Sequence, residues 1–389
     1  MITALAPVRW FREFGRPPRI LGLDIARGLA ILGMAGAHIG ETSTFDGADP
    51  ASWTDLVNGR SSILFAVLAG VSIALMTGRS ALPERERLPT IRLNLVGRGA
   101  VIFLIGLALE MLNTPIAVIL TLYGLLYVAV IPFLRWRPWQ LLAGAGVLAL
   151  LGPALLAFLS AVMLHPSGSG IGFVLYGTYP ITVWMALVLG GMALGRLDVG
   201  RTRAAVVTLG IGLALTVVGY GLGGIGQVAG LAGPSDEGSF VGSGSEDGSE
   251  LSGWAAYPQA FADTDPVRTV LAAVFAVDPH SGGTAEILGS GGFALVIIAL
   301  CLLLSRPLRW VLLPLGALGS MPLTAYSAHV VSIVLVGGPG ALFSSNAFWA
   351  ATVGGLLLVT TVWSMFFGRG PLERLVGRGA AAMAAVPRR

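Results

Sequence analysis

The chain contains no lysine, a single cysteine and few charged side chains of any kind. All 24 basic residues among its 389 are arginines, and charged residues make up 11% of the chain, whereas a soluble domain carries roughly 25%. The composition therefore argues against a soluble fold. Because Cys301 is the only cysteine in the sequence, no intramolecular disulfide can form. No group of cysteine and histidine has the spacing of metal ligands, so we expect no metal site.

Apolar sequence is what the chain has in excess. Hydrophobic residues make up 55% of it, and the mean hydropathy is +0.81. They form runs of about 17–25 residues, the length with which a helix crosses a hydrocarbon core of roughly 30 Å. We predict an all-α polytopic membrane protein, a bundle of about ten transmembrane helices (ten or eleven). The predicted spans lie near residues 21–40, 61–78, 97–113, 115–134, 139–160, 179–195, 204–225, 286–305, 311–336 and 347–367.

The arginines are distributed unevenly among the loops between these spans. Every arginine except Arg27, Arg60 and Arg268 falls on the same side as the two termini, and most of the acids fall on the other side. The positive-inside rule then predicts cytoplasmic N- and C-termini and an even number of spans. We expect the bacterial cytoplasmic membrane as the location. Dispersed arginines in short loops do not indicate nucleic-acid binding.

The chain divides into three regions by composition. Residues 1–20 are predicted to be a cytoplasmic segment, residues 21–367 a transmembrane domain with an uncleaved first span, and residues 368–389 a cytoplasmic tail. Within the domain, residues 226–285 form a large external loop rich in glycine, serine and aspartate, of which residues 233–252 are predicted to be mobile. The apolar stretch 267–277 is too short to span and predicts an interfacial or re-entrant helix.

Small residues recur four positions apart in several spans. Examples are Ala66, Gly70 and Ala74 in the second span, and Gly191 and Gly195 in the sixth. This spacing places small side chains on one face, so it predicts that two helices approach closely there.

The first span carries the densest set of polar residues, Asp24, Arg27, His38 and Glu41. At 100° per residue, Arg27 and His38 lie within about 20° of the same face, and the helical rise separates them by about 16 Å. The stripe therefore joins the cytoplasmic half of the membrane to the outer half. A neutral imidazole is a suitable general base, which Glu41 could orient. A structural role, with Asp24 and Arg27 as an ion pair, is the alternative.

Further candidates are polar residues in or beside other spans. His329 and Tyr326, in the ninth span, could share a cavity with His38 or belong to the core. Arg60 could hold an anionic acceptor, or pair with Asp55 or Glu41. The remaining candidates are Glu110 and Asn113 at the outer end of the third span, whereas His165 and His280 are predicted to be exposed loop residues.

Several segments resemble known membrane acyltransferases. Residues 19–38, Arg-Ile-Leu-Gly-Leu-Asp-Ile-Ala-Arg-Gly-Leu-Ala-Ile-Leu-Gly-Met-Ala-Gly-Ala-His, resemble the first span of the transmembrane acyltransferase superfamily, whose acyltransferase-3 branch has an Arg and a His separated by ten residues, as Arg27 and His38 are. Residues 53–72 are similar to bacterial relatives of heparan-α-glucosaminide N-acetyltransferase. Residues 179–196, 319–326 and 370–373 resemble the YeiB-type proteins.

The resemblance implies acyl transfer across the membrane, with acetyl-CoA or another acyl-CoA as co-substrate. It implies that His38, with Glu41, is the catalytic group, either as general base or as a transient acyl carrier. The predicted substrate-binding residues are Asp24, Arg27, Arg60, Glu110, Asn113, Tyr326 and His329. The predicted partners are membrane lipids and an extracytoplasmic sugar or glycolipid acceptor, and a second copy of the chain is a further candidate partner. The alternative is a transporter or a lipid-handling or small-molecule-handling membrane protein without covalent chemistry.

Overall fold

The computed structural model describes residues 6–43, 45–164, 168–231, 253–255, 257–262 and 264–385. These residues are mostly helical, and no strand occurs among them. The predictions for residues 233–252 and for His165 lie outside them. The helices are α1 (Ala6–Glu13), α2 (Leu21–Ile39), α3 (Arg60–Met76), α4 (Leu88–Glu110), α5 (Leu120–Ala129), α6 (Pro138–Val162), α7 (Ser169–Ile171), α8 (Ile181–Gly195), α9 (Thr202–Val228), α10 (Tyr257–Ala262), α11 (Pro266–Phe275), α12 (Thr284–Leu304), α13 (Arg309–Gly319), α14 (Pro322–Gly337), α15 (Asn346–Phe366) and α16 (Pro371–Ala384).

Helices of membrane-spanning length dominate the fold, which confirms a helical multi-pass protein. Seven helical stretches in the described ranges are long and apolar enough to cross a membrane, and the bent pair α13–α14 makes eight. They are Ser52–Met76, Arg85–Glu110, Pro138–Val162, Ser169–Gly195, Thr202–Val228, Thr284–Leu304 and Asn346–Phe366. Helix α2 has 19 residues but is not one of these seven stretches, because its polar stripe lowers its hydropathy. The count of ten and the orientation stay predictions.

Two predicted spans differ in the structure. The stretch 115–134 contains a helix of only ten residues, α5, because the chain before it is not helical. The stretch 311–336 is bent by 74° between α13 and α14. Pro322 begins α14, and Met321 before it has a non-helical backbone (φ −134°, ψ 57°), since a following proline disfavours the helical conformation. The short helix predicted at 267–277 is present as α11.

Helix α2 lies at the centre of the bundle. It packs against α3, α12, α13, α14 and α15. The helices differ in how much of their most apolar stretch is buried inside the protein, and this separates inner from outer helices. The buried share is 67% for the stretch that contains α3 but only 17% for that of α15. The outer helices therefore present apolar side chains outward, as lipid contact requires. The polar residues of α2 are accordingly shielded from lipid by protein.

Helices α3 and α8 cross at the small residues that the spacing singled out. A Cβ atom on Gly70 would lie 2.0 Å from the Val188 carbonyl oxygen, and one on Gly191 would lie 2.0 Å from that of Val67. Real atoms do not approach so closely, so these backbones touch because both positions are glycine. The predicted close helix approach is confirmed for this pair.

Alanine at Gly191 is expected to destabilise the protein, whereas alanine at the adjacent Gly190 is not. The Gly191 methyl would force α3 and α8 apart at a cost of about 1–3 kcal/mol. A Cβ on Gly190 meets no atom within 4 Å, so Gly190→Ala should be neutral or stabilise the helix by up to ~1 kcal/mol. Unfolding temperatures of the two variants in detergent measure the difference. Equal unfolding temperatures would contradict the close contact.

Segments rich in arginine are gathered at one end of the bundle. Buried Arg196, directly after α8, donates to the carbonyl oxygens of Thr77, Arg79, Ala81 and Leu134. Arg79 in turn donates to the Pro18 carbonyl. These hydrogen bonds satisfy carbonyls in the segments that follow α3 and α5 and in the segment that precedes α2. The structure thus brings together loops that the arginine pattern assigned to one side of the membrane.

The terminal segments pack onto this end of the bundle. In the predicted cytoplasmic tail, α16 packs against α4 with Val376 and Ala380 buried. Its Glu373 accepts hydrogen bonds from the backbone N–H groups of Leu323 and Thr324. These are the first N–H groups of α14, so the tail supplies the cap that this bent helix lacks in its own sequence. The tail is therefore part of the folded domain.

Candidate functional site

The N-terminal half of the α2 stripe forms an ion-pair cluster. Asp24, which is 4% exposed, accepts hydrogen bonds from Arg19 and from Arg27, the latter at 2.7 Å. Arg27 also donates to the Ser72 hydroxyl of α3 at 2.9 Å. Two guanidinium groups share one carboxylate, so the cluster keeps an excess positive charge. The ion pair that we weighed for Asp24 and Arg27 is present.

The C-terminal half of the stripe contributes to a histidine pair. His38 Nδ1 lies 3.0 Å from Nε2 of His329 in α14, and His329 is completely buried. The two rings are nearly parallel, and Tyr326 packs edge-on against His329. One ring donates and the other accepts, which leaves Nε2 of His38 as the nitrogen that a substrate can use. The structure thus brings together His38, Tyr326 and His329.

A cavity of about 90 Å³ adjoins His38. Its apolar lining includes Met34, Ala37 and Ile119, and its polar lining includes Asn58 and Ser61 from the segment that begins α3. The full lining is Met34, Ala37, His38, Val57, Asn58, Gly59, Ser61, Ser62, Ile119, Tyr179, His280 and Tyr326. This space is large enough for several water molecules or for a reacting group of a few atoms, and it is partly open to its surroundings.

His280 is the cavity residue that sequence reasoning missed. We predicted an exposed loop residue, but the structure places it partly buried at the cavity, edge-on to Tyr179. Burial lowers the pKa of His280, so the ring is neutral near pH 7. The signal that could have found His280 was its residue type, because histidine is rare in this chain and occurs only four times. Tyr179, Asn58 and Ser61 also line the cavity, and sequence reasoning gave them no role.

Glu41 and Arg60 lie outside the histidine pair. Glu41 is exposed, and its carboxylate accepts from the Asn346 side chain at 3.3 Å. The ring of His38 is oriented by His329 instead, so the geometry corrects the role that we predicted for Glu41. Arg60 donates to the hydroxyl of Tyr220 at 2.6 Å and to the backbone carbonyl of Asp55 at 3.1 Å. Among the described residues it has no carboxylate partner.

Glu110 and Asn113 are not brought to the cavity. Both are exposed at the end of α4. Asn113 adopts a positive φ of 52°, which asparagine tolerates, and its carbonyl accepts a hydrogen bond from Gly340. The positive φ and this hydrogen bond indicate that Asn113 is a turn residue. The substrate contacts that we predicted for these two residues find no support in the geometry.

The ion-pair cluster, His38 and part of the cavity lining fall within a recognisable family region. A model of the family "Heparan-alpha-glucosaminide N-acetyltransferase, catalytic" matches residues 19–220 of the 389. The chain belongs to this family. The match includes α2 and α3 with Asp24, Arg27 and His38, but it ends before His280 and His329. No curated protein is significantly similar to the chain.

Family membership indicates a membrane N-acetyltransferase, and the site has the groups that such a reaction needs. Acyl transfer requires a base for the nucleophile's proton. His38, which lines the cavity, is the candidate for this base. No group of three histidine, cysteine, aspartate or glutamate side chains in the part of the chain that the structure describes could hold a metal ion.

Proposed function

We propose that the protein transfers an acetyl or other short acyl group from cytoplasmic acyl-CoA to an extracytoplasmic hydroxyl or amine. The acceptor that we favour is a cell-envelope sugar or glycolipid, and the membrane is the bacterial cytoplasmic membrane. The observation that carries the proposal is the pairing of His38 with His329 at a cavity, with His38 inside the residues that the family model matches.

In the proposed reaction, His38 Nε2 takes the proton of the nucleophile. This requires the tautomer in which His38 donates from Nδ1 to His329 Nε2 at 3.0 Å. The nucleophile attacks the thioester carbonyl, the carbon–sulfur bond breaks, and the departing thiolate receives the proton from His38. His329 stabilises the positive charge that forms on His38 by accepting its hydrogen bond. The products are the acylated acceptor and CoA with a free thiol.

A route through acyl-histidine uses the same nitrogen. In that route His38 Nε2 attacks the thioester itself, CoA leaves, and the acceptor then takes the acyl group from the ring. Initial rates decide between the two routes. Parallel lines in double-reciprocal plots indicate the acyl-histidine route, and converging lines indicate direct transfer.

The arginine-rich end is the place that we propose for CoA. Arg19 and Arg27 together carry one more charge than Asp24 neutralises, and an anionic phosphate is attracted to such a site. Arg27 is not one of the residues that line the cavity. The thioester therefore has to extend from this end along α2 to His38, about 16 Å by the helical rise.

Transfer across a sealed bilayer tests the proposal directly. Purified protein in liposomes receives radiolabelled acetyl-CoA on one side, and methyl α-glucosaminide is trapped on the other. We expect labelled product to accumulate on the acceptor side only in vesicles that contain the protein. Absence of product with both compounds supplied on both sides would contradict acetyl transfer.

A transporter is the second candidate, favoured by the bend of 74° between α13 and α14. Broken helices mark substrate sites in many transporters. That function predicts substrate movement without covalent change and no affinity for acetyl-CoA. Calorimetric titration separates the two functions, since an acetyl-CoA Kd in the micromolar range supports the enzyme and no heat at high micromolar concentration supports the transporter.

A further inference from the structure

The cavity has a second imidazole on its wall. His38 and His280 both line this space of about 90 Å³. The ring of His280 packs edge-on against Tyr179 at 5.5 Å between centroids. No hydrogen bond joins its ring nitrogens to another group within the described ranges. Both nitrogens are therefore left for a molecule that enters the cavity.

The loop that carries His280 is held in one conformation. The Glu286 carboxylate accepts hydrogen bonds from the backbone N–H groups of His280 at 2.9 Å and Gly282 at 2.7 Å. The Ser281 hydroxyl adds a third at 3.0 Å. His280 has a positive φ of 64°, which is uncommon outside glycine. A loop fixed in this way sets the position of the imidazole before any substrate arrives.

We propose that His280 is a second substrate-contacting residue, which holds the nucleophilic hydroxyl or amine of the acceptor against His38. The inference rests on the proposed function, because it requires acyl transfer at His38. A neutral imidazole has one nitrogen that donates and one that accepts. A hydroxyl accepts from His280 with one lone pair and attacks with the other, while its proton goes to His38. An amine donates one N–H to each histidine and attacks with its single lone pair.

Glycine at position 280 is the variant that tests this role. Glycine adopts the positive φ without strain, so His280→Gly removes the ring and keeps the loop. We expect the KM for methyl α-glucosaminide to rise roughly tenfold, as the loss of one or two hydrogen bonds predicts. The KM for acetyl-CoA and the unfolding temperature should change little. Added imidazole should restore part of the lost affinity, which a purely structural defect would not permit.

A second variant controls for the loop itself. Asparagine tolerates the left-handed conformation but is too short to replace the ring, so His280→Asn should match His280→Gly without imidazole. An acceptor KM within twofold of wild type in both variants would overturn the proposal. A parallel rise in both KM values would overturn it as well, because the defect would then be general.

Failure of this inference can be told apart from failure of the proposed function. If His38→Gln is inactive while His280→Gly retains the wild-type acceptor KM, acetyl transfer stands and the role of His280 is rejected. If His38→Gln transfers acetyl groups as wild type does, the function assigned to His38 is rejected and the role of His280 with it.

Discussion

Replacement of His38 by glutamine is expected to lower kcat for acetyl transfer by roughly 10²–10⁴. Glutamine has a similar size and accepts a hydrogen bond, but it cannot take a proton near neutral pH. The nucleophile would then have to lose its proton to water, which is a much weaker base than imidazole. The measurement is the rate of labelled acetyl transfer at saturating acetyl-CoA. The loss should appear in kcat because His38 acts on the reacting atoms.

His329→Gln is the matched control for this variant. It keeps an acceptor for the Nδ1 hydrogen of His38, which lies 3.0 Å from the replaced ring, so a smaller loss of about tenfold is expected. The acetyl-CoA Kd of both variants should equal that of wild type if CoA binds at the arginine-rich end. A His38→Gln enzyme with more than a tenth of the wild-type kcat would contradict the general-base role.

Replacement of Asp24 by asparagine is expected to destabilise the fold by about 3 kcal/mol. Asparagine keeps the shape, but it removes the charge that Arg19 and Arg27 share. The Arg27 side chain is only 18% exposed, so its charge would be left poorly solvated beside a second cation. The measurement is the free energy of unfolding in mixed micelles, or the unfolding temperature where unfolding is irreversible.

An exposed ion pair of this chain provides the comparison. Arg9 and Glu13 lie 3.0 Å apart with side chains that are 77% and 61% exposed. Surface pairs contribute about 0–1 kcal/mol, so Glu13→Gln should have little effect. Removing Arg27 as well, in Asp24→Asn/Arg27→Gln, should recover part of the stability lost by Asp24→Asn alone. Equal effects of Asp24→Asn and Glu13→Gln would show that the buried pair is not structural.

The sequence predicted the features that depend on neighbouring residues. The apolar runs predicted most of the long helices, because a helix satisfies its own backbone hydrogen bonds along a single segment. Spacing along α2 placed Asp24 and Arg27 on one face, and the structure shows them bonded to each other. The small-residue spacing also predicted a close crossing, which α3 and α8 form at Gly70 and Gly191.

Contacts between distant parts of the chain could not be predicted in this way. His38 and His329 are 291 residues apart, and His280 reaches the same cavity from a loop that hydropathy assigned to solvent. The bend between α13 and α14 also depends on Glu373, which caps α14 from the next but one helix. Tertiary packing determines which residues make such contacts, and the local periodicity of the sequence gives no information about this packing.

By itself, then, the sequence determined a helical membrane protein with a polar stripe on its first span and the motif of an acyltransferase family. These properties follow from helical periodicity and from the cost of polar groups in lipid, which act on each segment separately. The tertiary structure decided which residues share the site: His329 and not Glu41 beside His38, and His280 at the cavity wall. That choice required the whole bundle, because the distance between two side chains is set by every helix that packs between them.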